Sequence, residues 1–434
     1  MMRRLQRPMG AVHHTSPLVG RKLESMLHEY DILIAGAGPA GCAAAYDLAQ
    51  AGRRVLLLDR RTFPRHKACA CGLTRKTLKA LRYSVDPIIE RVCHEIVLQQ
   101  TSSDPKLRQV RVNNRTPIAA MAVRERFDKF CLDQTLAAGR NGGSATLLKI
   151  EAITALRELT DHIELDITTA DGPQTLRAPV LIGADGSNGQ TRRLTSTLTM
   201  HDGFALEATV PYTALPATLP GGDAPHDLVF DFAPLPGGYG WLFPKGDHIN
   251  IGVGAFAPSD ATASTDLKQV TRALLNQYSE QKLGIAQLDH ITGQHLGMGG
   301  HAYVPRGRVL LVGDAAGLVD PLTGEGIHSA IVSGQAAAAA ILEVLRQAPA
   351  PGPEPSTLDP ATLDPASLAA AYARNLQPLQ QTLAFSHRAA RAFYKEPARG
   401  FKAMRIPLLR SLILKTYADG LPHTRLLTAL ARLV

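Results

Sequence analysis

The chain has 434 residues, 45% hydrophobic and 20% charged, enough for two or three structural units with a sizeable buried core. Its net charge of +9 favours acidic partners such as anionic lipids or phosphorylated compounds, while an aromatic content of 5% and the lack of an arginine-rich block argue against nucleic acid. Five cysteines, Cys42, Cys69, Cys71, Cys93 and Cys131, are too few and too irregular for a disulfide framework and point to a reducing, cytoplasmic compartment, and no apolar run is long enough to span a bilayer.

Residues 1–28 carry Arg3, Arg4, Arg7, Arg21 and Lys22 against one acid, Glu24, without the apolar core of a signal peptide. They read as a disordered basic tail, with Met26 as an alternative start. Residues 29–59, "EYDILIAGAGPAGCAAAYDLAQAGRRVLLLD", predict a βαβ unit: a buried strand, a glycine turn, an alanine-rich helix ended by Gly52, and a second buried strand. The turn "GAGPAG" matches GxGxxG. Gly36 permits the tight turn, Gly38 lets backbone approach a pyrophosphate, and Gly41, next to Ala40, lets helix and strand pack closely. Asp59 ends the second strand eighteen residues after Gly41, where the fingerprint expects an acid for ribose hydroxyls.

"KACACGLT" (67–74) then sets Cys69 and Cys71 one residue apart. A metal site needs more ligands than the nearby His66, so no metal is expected. Two readings stay open: a pair of quiet loop thiols, or reactive thiols in the electropositive setting of Arg65, His66 and Lys67. Residues 93–123 look strand-like, 124–139 helical with Gly139 as the stop, and 200–256 largely β. Residues 306–345 read as strand, loop and long buried helix. The segment 347–367 is Pro-rich, repeats "TLDP", and reads as a linker. Residues 368–434 are helical in pattern. Their last part (401–434) has six Lys/Arg against Asp419, with Leu408, Leu409, Leu412 and Leu414 among them. Such a segment suits either an anionic membrane surface or a helix packed on the domain with a solvated basic face.

Two further motifs, "LIGADGS" (181–187) and "VLLVGDAAGLVDPLTGEGI" (309–327), resemble the additional signatures of the flavoprotein superfamily that includes p-hydroxybenzoate hydroxylase. The segment "GGYGWLFPKGDHINIGVG" (237–254) resembles the "YGWxFPKGD…NIGxG" stretch of the geranylgeranyl reductase family. "KACACGLT" is similar to that family's "CGxGL", with Cys69, Gly72 and Leu73 matching, Ala70 in place of a glycine and Cys71 at the variable position. The resemblance runs from about residue 29 to 345.

It implies FAD as cofactor. Asp314 would bind the ribityl chain, and Gly324, Gly326 and Ile327 would lie beside the flavin ring. Arg124 of an "RxxFD" pattern, Asp185, and the Cys69, Ala70 and Gly72 loop would also face the cofactor. Tyr239, Trp241 and Pro244 would wall a long apolar substrate cavity. The implied fold is α/β. A Rossmann-type FAD domain (29–92, 124–190, 301–346) is interleaved with an antiparallel β-sheet substrate domain (93–123, 191–300), followed by C-terminal helices.

The implied reaction is reduction of carbon–carbon double bonds in a prenyl lipid or prenyl diphosphate, by hydride from flavin N5. NAD(P)H or a ferredoxin-like protein would be the electron donor. Cys69 and Cys71 are catalytic candidates by location alone. The competing readings are an aromatic-ring monooxygenase using NADPH and oxygen, and a non-catalytic FAD-containing lipid carrier.

Overall fold

The computed structural model describes residues 30–101, 108–195, 201–220, 227–234, 237–255, 267–347 and 363–420. The expected basic tail, most of the Pro-rich linker and residues 421–434 of the basic C-terminal segment lie outside the described residues. In chain order, β1 (Ile32–Ala35), α1 (Pro39–Gln50) and β2 (Arg54–Asp59) form the first unit. Then come β3 (Gly72–Thr74), α2 (Arg75–Ala80), β4 (Ile89–Cys93), β5 (Glu95–Gln99), β6 (Gln109–Asn113), β7 (Ala119–Ala122) and α3 (Arg124–Leu136). The chain continues through β8 (Ser144–Lys149), β9 (Ala152–Glu158), β10 (Ile163–Thr169), β11 (Gly172–Ala178), β12 (Val180–Gly183) and α4 (Gln190–Thr195). The second β-rich stretch holds β13 (His201–Pro211), β14 (Leu228–Asp231), β15 (Gly238–Pro244), β16 (His248–Ala255), α5 (Leu267–Leu283) and β17 (Thr292–Met298). Last are β18 (Val309–Leu311), α6 (Ile327–Gln347), α7 (Pro365–Lys395), α8 (Pro397–Met404) and α9 (Pro407–Asp419).

Five strands make a parallel sheet in the order β18-β12-β1-β2-β8. Its central strand, Ile-Leu-Ile-Ala, is buried throughout, as a parallel strand covered on both faces must be. Helix α1 packs on this sheet and α6 packs on α1. The approach is close: a Cβ at Gly334 of α6 would stand 2.2 Å from the Ala40 carbonyl oxygen of α1. Contrary to the reading of the sequence, helix α6 is long and apolar enough to cross a membrane, but 67% of its most apolar window is buried inside the protein, which makes it the core helix that was expected.

The second layer is a seven-stranded sheet, β17-β13-β16-β15-β14-β5-β6. It is antiparallel as expected except for β14 and β5, which pair in parallel. The chain runs back through the nucleotide-binding domain between these two strands, and such a long crossover is what parallel pairing requires. The stretch 93–123 divides: β5 and β6 join this sheet, whereas β7 joins β3 and β4 in a small sheet between the layers' chain segments. Strands β9, β10 and β11 form a separate antiparallel meander.

Helix α7 begins at Pro365, inside the stretch expected as linker, because the Asp364 carboxylate caps it by accepting from Ser367 N at 2.8 Å. The Tyr372 hydroxyl ties this helix to the parallel sheet by donating to Leu311 O at 2.7 Å. Helix α9 returns to α2 through an Arg75–Asp419 ion pair of 2.6 Å.

The α1–α6 contact generates a prediction. Gly334→Val inserts three carbons where none fits, and overpacking of this kind costs about 1–3 kcal/mol. Urea unfolding should show a lower midpoint of that size, and an unchanged midpoint would mean that the two helices do not meet this closely.

Candidate active site

The glycine turn is built by close approach. Gly36 has φ of +103° and a Cβ there would lie 2.3 Å from Ala184 O. A Cβ on Gly41 would lie 1.9 Å from Gly36 O, so Gly41 packs behind the turn rather than lining the site. Gly38 differs, for a Cβ there would meet only the Arg65 guanidinium, at 3.5 Å, so its backbone is open to a ligand. Pro39 opens α1, Gly38 offers no side-chain cap, and the first turn holds no acid, leaving N–H groups and the positive end of the helix dipole free for an anion. The Asp59 carboxylate braces the turn, accepting from Ala37 N at 2.9 Å and Arg61 N at 2.8 Å.

A cavity of about 730 Å³ opens over this turn. It brings together Gly36, Gly38, Ala40, Asp59, Arg124, Asp185, Asp314, Gly324, Gly326 and Ile327 with Cys69, Ala70, Cys71, Gly72, Tyr239 and Trp241. Pro244 lies outside the lining, paired with Ile249 at the end of β15, and Phe243 takes its place. Open N–H groups at a helix start, a glycine with room above it, and a carboxylate at the end of β2 fit a dinucleotide such as FAD. Asp185 also has a structural task, accepting from Thr191 N at 2.9 Å and from the Thr191 hydroxyl to start α4. Asp314 pairs with Lys67 at 3.9 Å. Glu325 pins the loop before α6 by accepting from the Thr74 and Thr77 hydroxyls, both at 3.0 Å, and pairing with Lys76 at 2.6 Å.

The cysteine loop is held from three sides. Lys245, 2% exposed, donates to Ala70 O at 2.5 Å and Ala122 O at 2.9 Å. Cys69 N donates to Glu207 Oε1 at 2.7 Å, and Cys71 N donates to Cys69 Sγ at 3.4 Å. The left-handed position falls on Cys71, with φ of +47°, and not on Ala70, so alanine fits at residue 70 without backbone strain. Hydrogen bonding from Cys71 and the charge of Arg124 hold the Cys69 thiol well below the usual thiol range, against the opposing effect of burial. The same contact with Cys69, then burial, pushes Cys71 well up. Their mutual contact thus drives the two thiols in opposite directions, Cys69 down and Cys71 up. Among the described residues, neither cysteine joins a group of three potential metal ligands. The one such group is Glu90, Asp247 and His248.

Over the cavity stands one face of the seven-stranded sheet. Register places Thr292, Glu207, Gly252, Trp241 and Phe230 in a single transverse row. Paired residues of a sheet point to the same face, and the four with side chains line the cavity. The indole lies across Gly252, where a Cβ would be 2.0 Å from Trp241 Cζ2. Trp241 Nε1 donates to Asn250 Oδ1 at 2.7 Å, and the Tyr239 hydroxyl donates to Thr323 O in the loop before α6. Phe230 meets Tyr417 of α9 edge-on at 6.4 Å, so the C-terminal helix also walls the cavity.

Sequence reasoning did not single out Glu207, Lys245, Phe230 or Tyr417. Only Lys245 had a signal, its place in "FPKGD". The others enter through register or from the far end of the chain.

A parallel-sheet nucleotide domain and an interleaved sheet that share one cavity define an FAD-dependent oxidoreductase. Residues 29–353 match the family described as FAD binding domain. A digeranylgeranylglycerophospholipid reductase 2 of Methanosphaera stadtmanae is 30% identical over 320 residues, covering 70% of this chain and 76% of its own. A menaquinone reductase of Mycolicibacterium smegmatis is 28% identical over 323 residues, 71% and 75% of the two chains. The crystal structure of a geranylgeranyl bacteriochlorophyll reductase-like protein of Thermoplasma acidophilum shares the fold, with a TM-score of 0.71 at 20% identity over 86% of this chain and 89% of that one. The chain belongs to the geranylgeranyl reductase family of FAD-dependent oxidoreductases.

The thiol pair is testable. Of the two, Cys69 should be alkylated by iodoacetamide at pH 7, with a rate that holds well below the pH where ordinary thiols lose reactivity, while Cys71 stays unlabelled. Peptide mass mapping reads this directly, and labelling of Cys71 ahead of Cys69 would reverse the assignment.

Proposed function

We propose that this protein reduces carbon–carbon double bonds of an isoprenoid chain. The observation that carries the reading is the shared cavity: the residues that fit the cofactor border the same space as Phe230, Tyr239, Trp241, Phe243, Leu296 and Val319. An apolar, aromatic wall over a redox cofactor suits a prenyl chain, which offers no polar handle along its length. The names of the two relatives, a prenyl-lipid reductase and a menaquinone reductase, support the same class of substrate.

Bound and reduced, FAD supplies a hydride. The chain's own residues do the rest. The free N–H groups at α1 would hold the pyrophosphate, Asp59 the ribose, and Asp314 with Lys67 the ribityl chain. The start of α6 would face the ring through Gly324, Gly326 and Ile327. An isolated alkene is a poor hydride acceptor, so the aromatic wall must fix its position and exclude water. NAD(P)H or a ferredoxin-like protein is the electron donor in this reading.

We extend the reading to a peripheral membrane contact. Ile406, just before α9, and Leu408 and Ile413 on it are exposed, near Arg405, Arg410 and Lys415 in sequence. Apolar side chains flanked by cations suit an anionic bilayer surface, where a prenyl lipid resides.

Two measurements follow. The anaerobically reduced protein, mixed with prenyl diphosphates, prenyl glycerolipids and a prenylated quinone, should be reoxidised by at least one of them, with a product heavier by one H2 per reduced bond. Reoxidation only by oxygen, with a hydroxylated product, would establish a monooxygenase instead. In flotation with anionic liposomes, Leu408→Glu with Ile413→Glu should abolish binding. Equal flotation of variant and parent would remove the membrane contact. Substitution is the cleaner probe, because truncation before α9 would also delete Tyr417 and the Arg75–Asp419 pair.

A further inference from the structure

Reduction of an alkene needs a proton as well as a hydride. The acids lining the cavity divide sharply. Asp59 is held by two backbone N–H groups, Asp185 by Thr191, Asp314 by Lys67, and Glu325 by Lys76 and two threonine hydroxyls. In each the oxygens are already engaged by fixed donors or a cation; burial raises the Asp185 carboxyl, but the Thr191 N–H and hydroxyl occupy it at the start of α4. Glu207 stands apart. It is 7% exposed, it is the one carboxyl in the Thr292–Glu207–Gly252–Trp241–Phe230 row, and Gly252 alone separates it from the indole. Its Oε1 accepts from Cys69 N at 2.7 Å, so the side chain bridges the aromatic wall and the cysteine loop.

Resting on the isoprenoid reading above, we propose that Glu207 is the catalytic acid: it delivers its carboxyl proton to the alkene carbon that does not take the hydride.

The cysteines and tyrosines of the cavity are poorer donors. Cys69 is held toward its thiolate, and the Cys71 proton is committed to Cys69. The Tyr239 hydroxyl donates to Thr323 O, and burial pushes both Tyr239 and Tyr417 far above neutrality. Burial, and next the negative Cys69, push the Glu207 carboxyl up to about 8. Cys69 N–H, the Asn250 side chain and the Lys245 ammonium pull the other way. Around Glu207 stand Cys69 from the loop with Cys71 behind it, Lys245 from the β15–β16 turn, Asn250 from β16, and neutral Thr292 from β17. Because the carboxyl is raised, it carries its proton below about pH 8 and loses it above.

The step balances. The alkene π bond breaks, one carbon forms a C–H bond with the arriving hydride, and the other forms a C–H bond with the Glu207 proton. Glu207 is left as carboxylate and regains its proton from water. Two electrons enter with the hydride and none with the proton. Cys69 is then a positioning residue, whose negative charge keeps the proton on Glu207 until the alkene takes it.

The test uses the FAD-loaded full chain with Glu207→Gln and Cys69→Ser. Reoxidation of anaerobically reduced E207Q by a prenyl substrate that the parent accepts should be about 10²-fold slower or worse, with substrate binding retained. In the parent this rate should fall as pH rises through about 8. A second readout needs no turnover. Infrared titration of the resting protein should show a protonated-carboxyl band at pH 7, lost through about pH 8 and missing in E207Q. In C69S the midpoint should move down, since the neighbouring anion is gone. An E207Q protein that is reoxidised at the parental rate, or that keeps the band, overturns the assignment. Should E207Q fail to fold, a midpoint unmoved between parent and C69S overturns it instead. A parent reoxidised by no prenyl compound overturns the isoprenoid reading, and this assignment with it. Normal parental turnover beside an unimpaired E207Q overturns this assignment alone.

Discussion

The site depends on one buried cation. The Lys245 ammonium is 2% exposed and has left water to hold the carbonyls of Ala70 and Ala122. Burial lowers its pKa, and the neighbouring Cys71 and Cys69 thiols and the Glu207 carboxyl oppose that. Through it the turn after β15, the cysteine loop and the end of β7 become one rigid corner. The loop then fixes Cys69 N against Glu207, and the sheet row carries that position on to the indole. An apolar residue at 245 would take the donor away from two buried carbonyls and loosen the loop that borders both cofactor and substrate spaces.

The same corner explains how two sheets interleaved in sequence share a single cavity. The nucleotide domain brings the carboxyl ends of parallel strands, where ligands of such sheets bind. The second sheet brings a flat, apolar face whose register is set by close glycines, above all Gly252 under Trp241. Neither surface alone would exclude water from a reacting alkene. Hydrogen bonds such as Tyr239 to Thr323 O join the wall to the loop before α6, so the spacing between them is held by bonds rather than by shape alone.

What could be read from the chain was what is local. Strand β1, helix α1 and strand β2 were legible because buried runs, glycine spacing and Asp59 fall within thirty-odd residues. The wall residues Tyr239 and Trp241 were legible through resemblance, though Pro244 was not of the wall and Phe243 was. Glu207 was hidden: it contacts a loop 138 residues away, and only strand register sets it beside Trp241. The opposite shifts of Cys69 and Cys71 were equally hidden, since the spacing says nothing of which thiol the backbone and Arg124 favour. The parallel β14–β5 pair was missed because hairpin reasoning cannot see a partner that returns after an intervening domain.

The position of Tyr417 bears on the order of events during synthesis. The glycine turn, the cysteine loop and the sheet face all precede residue 300, and Gly324–Ile327 follows soon after, but the wall at Phe230 is finished by a residue of the last described helix. Domains fold as the chain emerges, N-terminal parts first. A chain folded only as far as α7 would leave the cavity open beside Phe230, and α9, tied down by the Arg75–Asp419 pair, is what closes that side.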